Sequence, residues 1–101
     1  MSVITINKEN FVNEVINSEK TVLLDFYADW CGPCRFVAPI VSAIAEERDD
    51  IKVGKINVDE QSYLSSQFGI MSIPTLAVVK GGKVVNISVG AKPKEAILAM
   101  L

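Results

Sequence analysis

The feature that most constrains this chain is residues 21–28, TVLLDFYA, an apolar and β-prone run interrupted by one charge, Asp25. A strand apolar at both parities is covered on both faces, as in a sheet flanked by helices. The neighbouring segments supply such a sheet. Residues 3–6 read as a short strand, and Asn7 is placed to cap a helix to Ile16 with Phe11, Val12, Val15 and Ile16 on one stripe. Phe36, Val37, Ile40, Val41, Ile44 and Ala45 recur at helical spacing, so a helix begins at or just before Cys34, with a kink expected at Pro39. Residues 51–58 form the next strand, residues 61–68 a short helix closed by Gly69, and Pro93 starts a last helix through Leu101. Residues 75–79 and 84–89 are strands joined by Lys80-Gly81-Gly82-Lys83, a hairpin signal. The order β-α-β-α-β-α-β-β-α defines an α/β class: a central mixed β-sheet of three parallel-type strands and a C-terminal antiparallel hairpin, flanked by four helices.

The chain has 101 residues, enough for one domain spanning 1–101. A formal net charge of -2 lacks the basic face that nucleic acid requires, and there is no histidine to serve as base or metal ligand. The uncharged stretches 36–45 and 68–79 fall short of the ~18 residues of a membrane span. Without a basic-then-apolar start, a cytoplasmic, monomeric protein without a membrane partner is expected. The charges at residues 46–50 read as a solvated helix end.

Only two cysteines occur, Cys31 and Cys34, within Trp30-Cys31-Gly32-Pro33-Cys34. In the chain-entropy model a bridge closing so short a loop stabilises by only about 2 kcal/mol, so chemistry explains the pair better than stability does. Helical residues three apart have Cα atoms about 5 Å apart, inside the range that a disulfide accepts. The two sulfurs can therefore bond or separate with little backbone movement. Cys31 falls at the helix N-terminus, where free N–H groups and the helix dipole stabilise a thiolate. Cys34, one turn further in, is expected to be more buried and less acidic. Gly32 lets another backbone approach, and Pro33 stiffens the first turn. A structural disulfide or a metal site is the alternative, but zinc needs ligands that this chain does not offer.

The strand, the Trp-Cys-Gly-Pro-Cys segment and the helix resemble the thioredoxin family over nearly the whole chain. The resemblance includes Asp25-Phe26, Ala28, Pro39, Lys55, Asp59, Ile73-Pro74-Thr75, Gly82 and Val89-Gly90-Ala91. It implies the thioredoxin fold and a protein-disulfide reductase. The residue matching Cys31 attacks a client disulfide, and the one matching Cys34 resolves the mixed disulfide. No bound cofactor is implied; the working group is the Cys31–Cys34 disulfide, recharged by thioredoxin reductase with NADPH used indirectly. Clients of the peroxiredoxin, methionine sulfoxide reductase and ribonucleotide reductase type follow from the same resemblance, as do roles in electron transport and redox homeostasis.

Asp25 carries the sharpest secondary signal, because a carboxylate in an apolar strand is costly unless paired or neutral, and burial raises its pKa. The family places this residue behind the cysteines, where it helps deprotonate the Cys34 position, with Lys55 beside it. A purely structural role is the alternative for each. Ile73-Pro74 matches the family's cis-proline loop, which leaves the Ile73 backbone free to pair with an extended substrate. With Trp30, Gly32, Pro33, Val89, Gly90 and Ala91 it would form an apolar docking surface; core packing is the alternative for Trp30. Phe11, Phe26, Phe36 and Phe68 read as core.

Departures from the family pattern are Tyr27 for a common tryptophan, Met71 and Ser72 before Ile73, and Pro93 in place of a polar cap. The second pair would bear on partner choice. Two other functions compete: a disulfide oxidase or isomerase, which often carries a histidine between its cysteines, and a non-catalytic adaptor built on this fold. Gly32-Pro33 counts against the first; both cysteines and Asp25 count against the second.

Overall fold

The structure is a computed structural model and describes residues 2–101. Strands β1 (Ile4–Thr5), β2 (Thr21–Tyr27), β3 (Ile51–Asn57), β4 (Thr75–Lys80) and β5 (Lys83–Val89) form one sheet in the order β1-β3-β2-β4-β5. β1, β3 and β2 run parallel, while β4 is antiparallel to β2 and β5 to β4. The expected mixed sheet is therefore present. Central placement of β2 explains its composition: Val22, Leu23, Leu24 and Phe26 are fully buried because strands flank it and helices cover both faces.

Side-chain alternation along β2 sets up the site. Val22, Leu24 and Phe26 pack with Ile6, Val15 and Leu64 on one face. Leu23 packs on the other with Val37, Val41 and Ile44 of α1 (Gly32–Glu47) and Ile97 of α3 (Lys94–Leu98). Asp25 and Tyr27 share the parity of Leu23 and so face α1. The remaining helix of the covering layers, α2 (Ser62–Gln67), supplies Leu64.

Helix α1 buries the stripe Cys34, Val37, Val41, Ile44 and Ala45. Phe36, expected in the core, is instead 59% exposed. A helix lying on a flat sheet buries one narrow stripe, and Phe36 lies about 100° around from Val37. Pro39 sits on the solvent side of α1, which continues through it.

The expected helix from Asn7 to Ile16 is different in kind. Asn7 and Asn10 each accept the other's backbone N–H at 2.8–2.9 Å, closing a turn. A π-helix follows over Val12–Ile16, where the Asn17 N–H reaches the Val12 carbonyl at 2.8 Å. The wider turn rotates Val12 and Ile16 outward, so Val15 alone of that helix is buried. The last helix is also shorter than expected: α3 ends at Leu98, although Met100 and Leu101 keep turn bonds to Ile97 and Leu98. Gly81 and Gly82 take φ of 57° and 78°, the pair of positive values that a tight hairpin turn between β4 and β5 requires.

Candidate functional site

Tyr27 ends β2, and the chain turns through Ala28, Asp29 and Trp30 into α1. Cys31 is the N-cap of that helix, with extended backbone, and its Sγ accepts the Cys34 N–H at 3.2 Å. Pro33 occupies the first turn, where its missing N–H costs no helical bond. Cys31 and Cys34 form a disulfide with Cα atoms 5.3 Å apart, the separation that helical spacing dictates.

The structure corrects one expectation here. Cys31 is 4% exposed and Cys34 3%, so the two are about equally enclosed. In the oxidised pair Cys31 Sγ is bonded inward to Cys34, and Tyr27, Val58 and Ile73 pack against the bridge.

On the surface beside the bridge, Trp30, Val58, Ile70, Met71, Ser72 and Ile73 line a groove of about 370 Å³. Trp30 is 68% exposed and donates its Nε1–H to Asp59 Oδ2 at 2.8 Å, which excludes the core-packing alternative. The Ile73–Pro74 bond is cis. Among the described residues the Ile73 N–H and C=O make no internal hydrogen bond, while the Pro74 carbonyl accepts the Gly90 N–H at 2.8 Å. That bond, and pairing of Val89 with Thr75, bring Val89 and Gly90 beside the proline loop. Val89 and Ala91 are exposed, but neither lines the groove. Val58 and Ile70 do line it and carried no motif in the sequence. Their signal was weak: apolar residues just past a strand end and just past a helix-stopping glycine.

Behind the disulfide, between the sheet and α1, lies a cavity of about 260 Å³ whose lining includes Asp25, Tyr27, Cys34, Arg35 and Lys55. Asp25 pairs with Lys55 in the β2–β3 register, and its Oδ1 is buried without a hydrogen-bond partner among the described residues. Burial pushes the Asp25 carboxyl from 3.8 up to about 6, against the opposing pull of the Lys55 charge. The structure thus brings Cys34, Asp25 and Lys55 to one cavity and Trp30 and Ile73 to the groove, with Cys31 enclosed in the cluster that Ile73 packs against. No cluster of metal-binding side chains occurs among the described residues.

A disulfide at a helix tip, with a buried carboxylate of raised pKa behind it and a largely apolar groove beside it, has the makings of a dithiol–disulfide exchange centre. Comparison with known proteins agrees. The family model described as Thioredoxin matches residues 2–101. The chain is 48% identical over 93 residues to a thioredoxin of Streptomyces clavuligerus, covering 92% of this chain and 87% of that one. It is 48% identical over 102 residues to a thioredoxin of Porphyra purpurea, with 100% and 95% covered. A protein named thioredoxin 1 from a Nostoc species is 50% identical over 93 residues, with 91% and 87% covered. The chain belongs to the thioredoxin family. It is a protein-disulfide reductase that works through the redox-active Cys31–Cys34 pair and engages thioredoxin reductase and disulfide-bearing client proteins.

Proposed function

We propose that Cys31 is the attacking sulfur, Cys34 the resolving one and Asp25 the base that serves Cys34. The Cys31 thiolate attacks one sulfur of a client disulfide. The client S–S bond breaks, its leaving sulfur takes a proton, and a mixed disulfide forms. Asp25 then accepts the Cys34 proton, and the Cys34 thiolate attacks Cys31 Sγ. The second client sulfur leaves and is protonated, closing the Cys31–Cys34 bond and passing two electrons to the client. Reduction by thioredoxin reductase, with electrons from NADPH, restores the dithiol. The observation that carries this reading is Cys31 at the N-cap of α1 with its sulfur bonded to Cys34 over a buried carboxylate.

Lys55 is assigned to tuning Asp25 by its charge. Trp30, Ile73, Pro74, Val89, Gly90 and Ala91 are assigned to docking an extended client segment, with the free Ile73 backbone groups as its pairing edge. Clients of the peroxiredoxin, methionine sulfoxide reductase and ribonucleotide reductase type suit this chemistry. The reading places the chain, as a monomer acting as one domain, in a reducing compartment such as the cytoplasm, in electron transport and redox homeostasis. The test is reduction of insulin disulfides in the presence of thioredoxin reductase and NADPH. Wild type is expected to turn over and Cys31→Ser to be inactive; turnover surviving in Cys31→Ser refutes the assignment of the attacking sulfur.

A further inference from the structure

A lysine ammonium on a flexible four-carbon stem prefers water, and something must hold it if it is to act on a buried carboxylate. Asp25 does not hold Lys55 by direct contact. Among the described residues no ion pair within 4.0 Å joins them, and Asp25 Oδ1 has no hydrogen-bond partner. What stands close to the ammonium is Tyr27: Lys55 Nζ lies 5.9 Å from its ring centre, within cation–π range. The sheet explains the meeting. Asp25 and Tyr27 are two residues apart on β2, and Lys55 lies opposite Asp25 on β3, so all three face α1 and line the same cavity. Burial raises the Tyr27 phenol above its ordinary pKa, opposed by a hydrogen bond to Asn57 and reinforced by the carboxylates of Asp29, Glu60 and Asp25, so the ring is neutral near neutral pH. Among the described residues, the other charged groups on the cavity wall are Asp29 and Arg35, whose guanidinium is engaged by the Asp29 carbonyl at 2.9 Å. Arg35 is therefore tied to the loop, and among the described residues Lys55 is the cation left to face Asp25.

We infer that Tyr27 is a positioning residue whose ring holds the Lys55 ammonium in the cavity at a fixed setting relative to the Asp25 carboxylate. This rests on the reading of Asp25 as the base serving Cys34, and it gives a job to the aromatic residue that closes β2. Loss of the ring releases Lys55 to solvent, removes a positive charge from beside Asp25 and makes the carboxylate harder to ionise.

The test is the carboxyl-carbon NMR titration of Asp25 in the oxidised protein, where the cysteines do not titrate. Tyr27→Phe keeps the ring and is expected to leave the midpoint where wild type has it. Tyr27→Leu is expected to raise it by about half a pH unit or more, because the Lys55 charge withdraws from beside the carboxylate. Lys55→Gln is expected to raise it at least as far. A rise in Lys55→Gln with none in Tyr27→Leu overturns the positioning role and leaves the coupling of Lys55 to Asp25 standing. No rise in Lys55→Gln overturns both. Wild type gives a reading that no folding defect can obscure: the Lys55 ε-methylene protons are expected upfield of their random-coil position, shielded by the Tyr27 ring, and random-coil values overturn the inference.

Discussion

At the scale of the residue, Asp25 is where sequence and chemistry meet most directly. A lone charge inside TVLLDFYA announces that something other than packing is served, and the structure buries it with its carboxyl raised from 3.8 to about 6. The linked stability follows from proton counting. Between pH 3.8 and about 6 the folded state binds a proton that the unfolded state has released. Stability contributed by protonated Asp25 is thus fully present below pH 3.8 and lost as pH rises through about 6. The raised pKa corresponds to about 3 kcal/mol. Asp25→Asn is therefore expected to gain stability relative to wild type by about 2 kcal/mol on going from pH 4, where part of the effect is already lost, to pH 8, read by urea unfolding of the oxidised proteins. A pH-independent difference between them contradicts the burial argument. Trp30 shows the limit of residue-level reading. An aromatic beside a cysteine motif fits a core or a surface equally, and only the turn between β2 and α1, with Asp59 opposite, puts it outside.

At the scale of the element, the start of α1 was legible and the first helix was not. Pro33 at the first turn and a stripe at three- and four-residue spacing fix α1 without help from the rest of the chain. The stripe in residues 11–16 is compatible with both an α-turn and the wider π-turn that forms, because so short a segment does not separate the two periods. The lengths of α3 and β1 depend on what they pack against, which local pattern does not encode. Gly54 shows such a packing demand in the middle of β3. A Cβ there would come within 2.8 Å of Ile6 Cγ1 and 3.2 Å of Leu24 Cδ2, both in the filled core. Gly54→Ala is expected to destabilise by about 1–3 kcal/mol, as overpacking does, measured by the urea midpoint. A neutral substitution would mean that the Ile6 and Leu24 side chains yield more easily than their burial suggests.

At the scale of the whole molecule, the order β1-β3-β2-β4-β5 brings the parts of the site together from distant stretches of chain. Asp25 and the start of α1 come from one crossover, Lys55 from the strand that pairs with β2, and Ile73-Pro74 from the loop entering β4. The classes of these elements could be read locally. Their neighbours could not, because strand order depends on contacts made across the fold. The Cys31–Cys34 bond, by contrast, adds little to global stability. It closes so short a loop that reduction is expected to lower unfolding free energy by about 2 kcal/mol; a much larger loss would give the bridge a structural role that the chain-entropy model denies it. Cys31 caps α1, where the helix end stabilises its thiolate once the bridge is reduced. The most direct measurement is the pH dependence of Cys31 alkylation by iodoacetamide in the reduced protein. The midpoint is expected well below the ~8.5 of a free thiol. Alkylation that tracks an ordinary thiol would contradict stabilisation of the Cys31 thiolate by the helix end.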